Sequence, residues 1–406
     1  MITISAVKSC TGAVVGLAAA MLCAQPAWSA DRVVKIGGFG AKSGVLKPFG
    51  DNSEAAMRAA GSLINRAGGV RLADGTRARI EIEYRDDRCD SELGVATLGS
   101  FAEEDWLAVI GTTCSSVLKP VFESLQKQAG DDSDTGHRIP VFADVAMRKG
   151  LAGISDWAFR NIPDEIQMYD ALWAWMRQEN AELKTVYAGV EENFVHSNQT
   201  WYNIIKERAG LAGYEVKGQA KWLVDDVDFV EQVKEMAAVN ADIVVISAHP
   251  FSACGVLREM ERQNYNPPAV IGLTSLTTPQ LIEDCGAQAA GMIVPTSFAP
   301  INDIARAAAA ATAQFGGYAD LHSMAAWENM YAIKQAIENE GVEAKPETVA
   351  EDREKIRRGI QKLNLVDGLL GPIARTNEGE SDKDFVLVKA MTDGWEVIEQ
   401  KETAKN

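Results

Sequence analysis

Chemistry in this chain concentrates in Val109-Ile-Gly-Thr-Thr-Cys-Ser-Ser116, with Cys89 shortly upstream. The stretch reads as a buried strand, a small polar loop, and the start of a helix over 117–128. A helix start presents unpaired backbone N–H groups at the positive end of the helix dipole, and the hydroxyls of Thr and Ser stand beside them. That arrangement binds anions, carboxylates in particular. Capping of the helix by Ser115 or Ser116 is the other use of the same residues.

Catalytic signatures are missing around it. The sequence has no Gly-x-Ser-x-Gly, no His-Glu-x-x-His and no phosphate loop. Gly38-Phe-Gly40 begins like a dinucleotide fingerprint, but Ser43 stands where its third glycine belongs. His249 lies five residues before Cys254, yet there is no Cys-x-x-Cys and no second ligand pair, which argues against zinc. The expectation is a chain without metal or cofactor, and not an enzyme.

The elements that must position this loop alternate along the chain. Strands are expected at 32–39, 79–84, 107–110 and 139–142, then at 183–189, 214–221, 241–247, 269–272 and 292–295. Helices are expected at 51–65, 91–104 and 117–128, then at 164–179, 197–210, 227–239, 251–263 and 278–284, with three more at about 303–315, 322–340 and 349–363. Two strands, 385–389 and 395–398, close the chain. Repeated strand–helix units imply parallel sheets covered on both faces, and there are too many for one sheet of ordinary width. The fold class expected is α/β with two doubly wound lobes. Ligands in such folds sit at the carboxyl ends of the strands.

A length of 406 residues also fits two domains. The formal charge of −17 disfavours nucleic acid, which needs a clustered positive surface. Residues 1–30 read as a secretory signal peptide: Lys8, an apolar run from Thr11 to Ala24, and Ala27-Trp28-Ser29 before the cleavage point, with cleavage after Ser29 or Ala30. Leu22 precedes Cys23 where a lipoprotein signal needs a small residue. Cys89, Cys114, Cys254 and Cys285 remain after cleavage, an even number in an oxidising compartment with three full pairings open.

Four segments give the chain a resemblance to a known family. They are Lys35-Ile-Gly-Gly-Phe-Gly-Ala-Lys-Ser-Gly44 followed by Phe49-Gly50, Asp86-Asp-Arg-Cys-Asp90, the 109–116 stretch, and Gly371-Pro-Ile373 with Asn377-Glu-Gly379. In them the mature chain resembles the periplasmic leucine/isoleucine/valine-binding proteins of ABC transporters, which have the type I substrate-binding fold. The resemblance implies a Cys89–Cys114 disulfide; Cys254 and Cys285 fall outside its pattern and could form a second. It implies lobe 1 at 31–160 plus 297–370 and lobe 2 at 161–296 plus 371–406, with hinge crossings near 160–163, 295–297 and 370–372.

Carried over by position, Ser115 and Ser116 would hold a ligand carboxylate, with Val145 and Met147 on the neighbouring loop. Met147 lacks the hydroxyl that family members offer there. Phe49 and Phe194 would pack on the ligand, Phe194 replacing a usual tyrosine and His249 another. Thr274 falls where amino-acid binders place an acid for the ligand ammonium, and no Asp or Glu follows it before Glu283. The implied function is a monomeric periplasmic protein that traps a small carboxylate, an amino acid or an apolar or aromatic acid, for an inner-membrane ABC permease. A sensor or chemoreceptor component is the alternative, and a periplasmic enzyme the remote one.

Overall fold

The computed structural model describes residues 28–144, 150–365 and 368–402. The stretch before Trp28 that reads as a signal peptide, and Val145 and Met147, lie outside them.

The first half builds a six-stranded sheet. Its elements are β1 (Trp28–Gly40), α1 (Lys47–Arg66), β2 (Val70–Arg71), β3 (Arg77–Asp86), α2 (Ser91–Glu103), β4 (Ala108–Gly111), α3 (Ser115–Glu123), β5 (Val141–Ala143) and β6 (Ala158–Arg160). The second unit follows with α4 (Glu165–Glu179), β7 (Thr185–Glu191), α5 (Val195–Thr200), α6 (Lys206–Leu211), β8 (Glu215–Trp222), α7 (Val230–Val239), β9 (Ile243–Ser247), α8 (Pro250–Arg262), β10 (Ala269–Gly272), α9 (Pro279–Cys285) and β11 (Ile293–Thr296). Then come α10 (Asp303–Ala313), α11 (Leu321–Glu340) and α12 (Val349–Gln361), and the strands β12 (Asn364–Leu365), β13 (Ile373–Arg375), β14 (Ser381–Asp382), β15 (Phe385–Ala390) and β16 (Trp395–Lys401).

Strand order is β2-β3-β1-β4-β5-β6 in the first sheet and β16-β15-β11-β10-β9-β7-β8 in the second. The parallel strands of both sheets thus run in the doubly wound order 2-1-3-4-5, which reverses direction between the first and third strands. In the first sheet that point lies between β1 and β4, where Phe39 pairs with Gly111. In the second it lies between β7 and β9, where Val190 pairs with Ser247. The chain passes from the first sheet to the second after Arg160, returns to pack against it after Thr296, and crosses back before Phe385. β12, β13 and β14 form a small sheet of their own in that last passage.

Sequence explains the layers. β4, and β9 as far as Ile246, are apolar, and both strands are buried throughout, as strands covered on both faces must be. β3 alternates at Ala78 and Ile80, as expected for a half-buried strand. α1 buries Ala55, Ala56, Ala59, Ala60 and Gly61 and so approaches α11 closely.

Helix starts differ from expectation in an informative way. α1 begins at Lys47, four residues before the expected start at 51, because Pro48 fits its first turn. α3 begins at Ser115, not Val117, and ends at Glu123, well before 128. Pro120 sits inside α3 without an N–H to offer back to Ser116, and Ser91 Oγ donates to the Ser116 carbonyl at 3.1 Å. The helix expected from a Ser197 cap begins instead at Val195 and passes through a π turn at Trp201–Ile205. Ser197 Oγ donates to the Ser247 carbonyl rather than capping.

Gly50 marks the tightest approach at α1. A Cβ there would lie 1.9 Å from the Ala41 carbonyl oxygen. G50A should therefore cost about 3 kcal/mol or more, since backbone and not a flexible side chain must move. The shift in urea midpoint at unchanged m-value checks this.

Candidate functional site

The two reversal points face each other across a seam. From the first sheet come Leu46 and Phe49 at the start of α1, and Thr113, Cys114 and Ser115 at the start of α3. Phe194 from the loop after β7 and His196 from the first turn of α5 oppose them, and His322 from the first turn of α11 completes the wall. Together they line a cavity of 20 Å³, about the room one water needs.

Helix starts converge on this seam without side-chain caps. The N-cap residues are Leu46 for α1, Cys114 for α3 and Phe194 for α5, and none caps through its side chain; His249, the N-cap of α8, meets the Phe194 ring but does not line the cavity. Polar caps are present at α2, α4 and α10, where Asp90 bonds Leu93 N, Asp164 bonds Ile166 N and Asn302 bonds Ala305 N, while α7 and α12, away from the seam, also begin without a side-chain cap. Ser115 and Ser116 are thus the first residues of α3 rather than its caps, which overturns the capping alternative. A helix start left open in this way offers N–H donors to an anion.

Cys89 and Cys114 are joined, with Cα atoms 5.7 Å apart, and so are Cys254 and Cys285 at 5.3 Å. The first bridge ties the N-cap of α3 to the loop after β3. Thr113 Oγ1 accepts from Ala41 N at 3.2 Å, linking the loops after β1 and β4. Asp87, buried below them, accepts from Thr112 Oγ1, and burial raises its carboxyl above the ordinary range.

Phe49 is buried against His322, ring centroids 4.6 Å apart. Phe194 stands between His196 and His249, its ring centroid 6.0 and 6.1 Å from theirs. His249 is 2% exposed; its Nδ1 lies 2.7 Å from Glu191 Oε2, and its backbone N–H donates to the same oxygen at 2.9 Å. Thr274 is fully buried, and its hydroxyl donates to Glu165 Oε1 at 2.8 Å.

Glu165, absent from the sequence reading, is the residue that changes the chemistry. It is 2% exposed. His196 Nε2 lies 3.0 Å from its Oε1, and Thr200 Oγ1 donates to Oε2 at 3.1 Å. It also lines a 290 Å³ chamber that shares Ser115 and His196 with the seam. A buried carboxylate is costly unless it is paired and hydrogen-bonded. Among the described residues, His196 is the one ionisable side chain that bonds it. His196 and His322 were missed too. One signal was available: the chain has only four histidines, and three stand at helix starts. A larger hollow of 540 Å³ opens beside the passage after Arg160, where charges of both signs meet and the open helix starts do not reach.

Two neighbouring groups set a pH dependence. Burial pushes Asp320, the α11 cap, up to about 6, and burial first, then His196, holds His322 well below the ordinary imidazole range. Below about pH 6.5 the unfolded chain protonates His322 and the folded one resists, so its contribution to stability is lost as pH falls. Asp320 acts oppositely. Between about pH 6 and 4 the folded state binds its proton more readily, so acidification relieves a cost of about 3 kcal/mol at neutral pH. Wild type should change little in urea stability between pH 6 and 5. H322Q should gain roughly 1 kcal/mol over that interval as Asp320 acts alone.

Comparison with known proteins agrees with this architecture. Residues 33–394 match the sequence profile of the family described as periplasmic binding protein. A leucine-binding protein, LivK, from Thermotoga maritima superposes with a TM-score of 0.75 at 16% identity, over 91% of this chain and 99% of its own. LivJ, the branched-chain amino acid transporter substrate-binding protein of Streptococcus pneumoniae solved with isoleucine, gives 0.74 at 16% identity over 92% and 100%. A solute-binding protein of an ABC transporter from R. palustris, solved with benzoate, gives 0.75 at 16% identity over 92% and 97%. No curated protein sequence matches the chain. These solved relatives are binding proteins and not enzymes, and at such identities they speak for the fold. With the profile spanning nearly all of the described chain, this protein belongs to the periplasmic binding protein family.

Proposed function

We propose that the chain is a periplasmic solute-binding component that delivers a small carboxylate to an ABC permease of the inner membrane. The observation that carries this is the meeting of three uncapped helix starts, those of α1, α3 and α5, at one seam between the two sheets. The ligand carboxylate lies on the open start of α3 at Ser115 and Ser116, with Phe49 and Phe194 on its apolar part. Val145 and Met147 are assigned to the same site by position alone. The mature chain is exported and monomeric.

The ligand also carries a cation, as an α-amino acid does. Glu165 supports this, for it puts a buried carboxylate at the hydroxyl of Thr274. A second reading, an aromatic acid without an amine, is favoured by the Phe49–His322 and Phe194–His196 ring pairs. The R. palustris relative, whose ligand is benzoate, shows that the fold serves such acids.

Working motion follows from the crossings. Lobe 1 comprises 31–160 with 297–370, and lobe 2 comprises 161–296 with 371–406. A ligand lodging in the seam parts its walls, and the lobes then close over it about the hinge. The test is a thermal-shift screen of refolded, ligand-stripped chain with leucine, isoleucine, valine, their deaminated acids, and benzoate. A ligand at about 100 times Kd adds about 2.7 kcal/mol, seen as a rise of several degrees. No shift from any carboxylate would reject the reading.

A further inference from the structure

Away from the seam, one buried carboxylate gathers the hinge. Glu328 sits two turns into α11 and is 3% exposed. It accepts from Leu369 N at 2.8 Å, from Asn161 Nδ2 at 3.0 Å, and from Lys383 Nζ. Asn161 follows β6 directly and begins the first passage between the sheets. Leu369 and Lys383 bracket the last one, and Lys383 stands two residues before β15 of the second sheet. Lys383 is itself 2% exposed.

The same two passages are bonded to each other. Ser381 Oγ lies 2.7 Å from the Arg160 carbonyl and 3.2 Å from Asn161 Oδ1. Arg375 donates to the Arg160 carbonyl and to Ser381 Oγ, and Glu380 accepts from Arg160. The middle passage after Thr296 takes no part in these bonds.

Rotation of one sheet unit against the other must either keep the Glu328–Lys383 contact or strand two buried charges. Breaking a buried pair is far costlier than pivoting on it. We infer that the Glu328–Lys383 contact is the fixed pivot of lobe motion, and that Glu328 is a positioning residue which sets ligand affinity without touching ligand. The inference on affinity rests on the proposed solute-binding role; the pivot itself does not. α11 links the two places, because its first turn presents His322 to the seam and its second holds Glu328 at the hinge. A tilt of this one rod moves both.

The test compares wild type, E328Q and the double variant E328Q/K383M. The double variant removes the lone buried ammonium and so restores folding stability while leaving the pivot absent. Small-angle X-ray scattering of ligand-free protein reads the spread of lobe arrangements, and stopped-flow titration with L-leucine and with benzoate reads kon and koff. Both variants should show a broader distance distribution than wild type and about a tenfold faster koff with kon little changed. The double variant should recover the wild-type melting temperature but not the wild-type koff. If it recovers both, Glu328 is a structural residue only and the inference falls. If wild type binds neither probe, the solute-binding reading is in question, and the scattering comparison still decides the pivot.

Discussion

Replacing Glu165 by glutamine should lower affinity for an amino-acid ligand by more than 100-fold, while a deaminated ligand loses nothing. The side chain keeps its shape, and Gln can still accept from the Thr274 hydroxyl, which lies 2.8 Å from the Glu165 oxygen. What disappears is the negative charge in a site that is 2% exposed. Removing one partner of a buried, hydrogen-bonded charge pair costs about 2–5 kcal/mol. At about 3 kcal/mol the loss exceeds two orders of magnitude in Kd. Folding stability provides the control. Neutralising a buried carboxylate relieves desolvation as well as removing hydrogen bonds, so E165Q should stay within about 1 kcal/mol of wild type in urea. Calorimetric titration with leucine and with 4-methylpentanoate reads the two affinities separately. Equal losses for both would mean that Glu165 only shapes the wall.

The second large effect concerns the bridge beneath the helix start proposed to hold the ligand carboxylate. Serine at both Cys89 and Cys114 opens a loop of 25 residues. By chain entropy that costs about 3.5 kcal/mol, or roughly 4 °C in melting temperature for a chain of this length. Arg88 and Cys89 both adopt left-handed backbone, with φ of 52° and 58°, a conformation that non-glycine residues hold only when their surroundings enforce it. Freed of the bridge, the loop after β3 relaxes and the N-cap of α3 loosens with it, so carboxylate affinity falls too. The Cys254–Cys285 pair closes 31 residues between α8 and α9, and its removal should cost about as much stability. That second variant should bind ligand as wild type does. Affinity, not melting temperature, separates the two bridges.

The doubly wound layout was legible because each strand carries its own local signature. The β9 strand is a continuous apolar run up to Ile246 and Arg77–Asp86 alternates, and both periods are fixed by what covers the strand. Helix starts were less legible where the seam leaves them uncapped. The expected caps at Asp51 and Ser197 followed residue preference, yet α1 and α5 begin at Lys47 and Val195, where backbone geometry and Pro48 decide. In the site, Phe49, Ser115 and Phe194 could be read from position along the chain, and all three line the seam. Glu165 could not. It lies 109 residues from Thr274 and belongs to the first turn of a helix after a lobe crossing. Only the packing of α4 beneath the second sheet brings the two together, and no local period reports that.

The most direct measurement is a crystal structure of the chain with an amino acid from the thermal-shift panel bound. The account places the ligand carboxylate on the backbone N–H groups of Ser115 and Ser116 and the ligand nitrogen within hydrogen-bond distance of Glu165. A ligand that turns its carboxylate away from Ser115, or that leaves Glu165 bonded only to Thr274, Thr200 and His196, would contradict it.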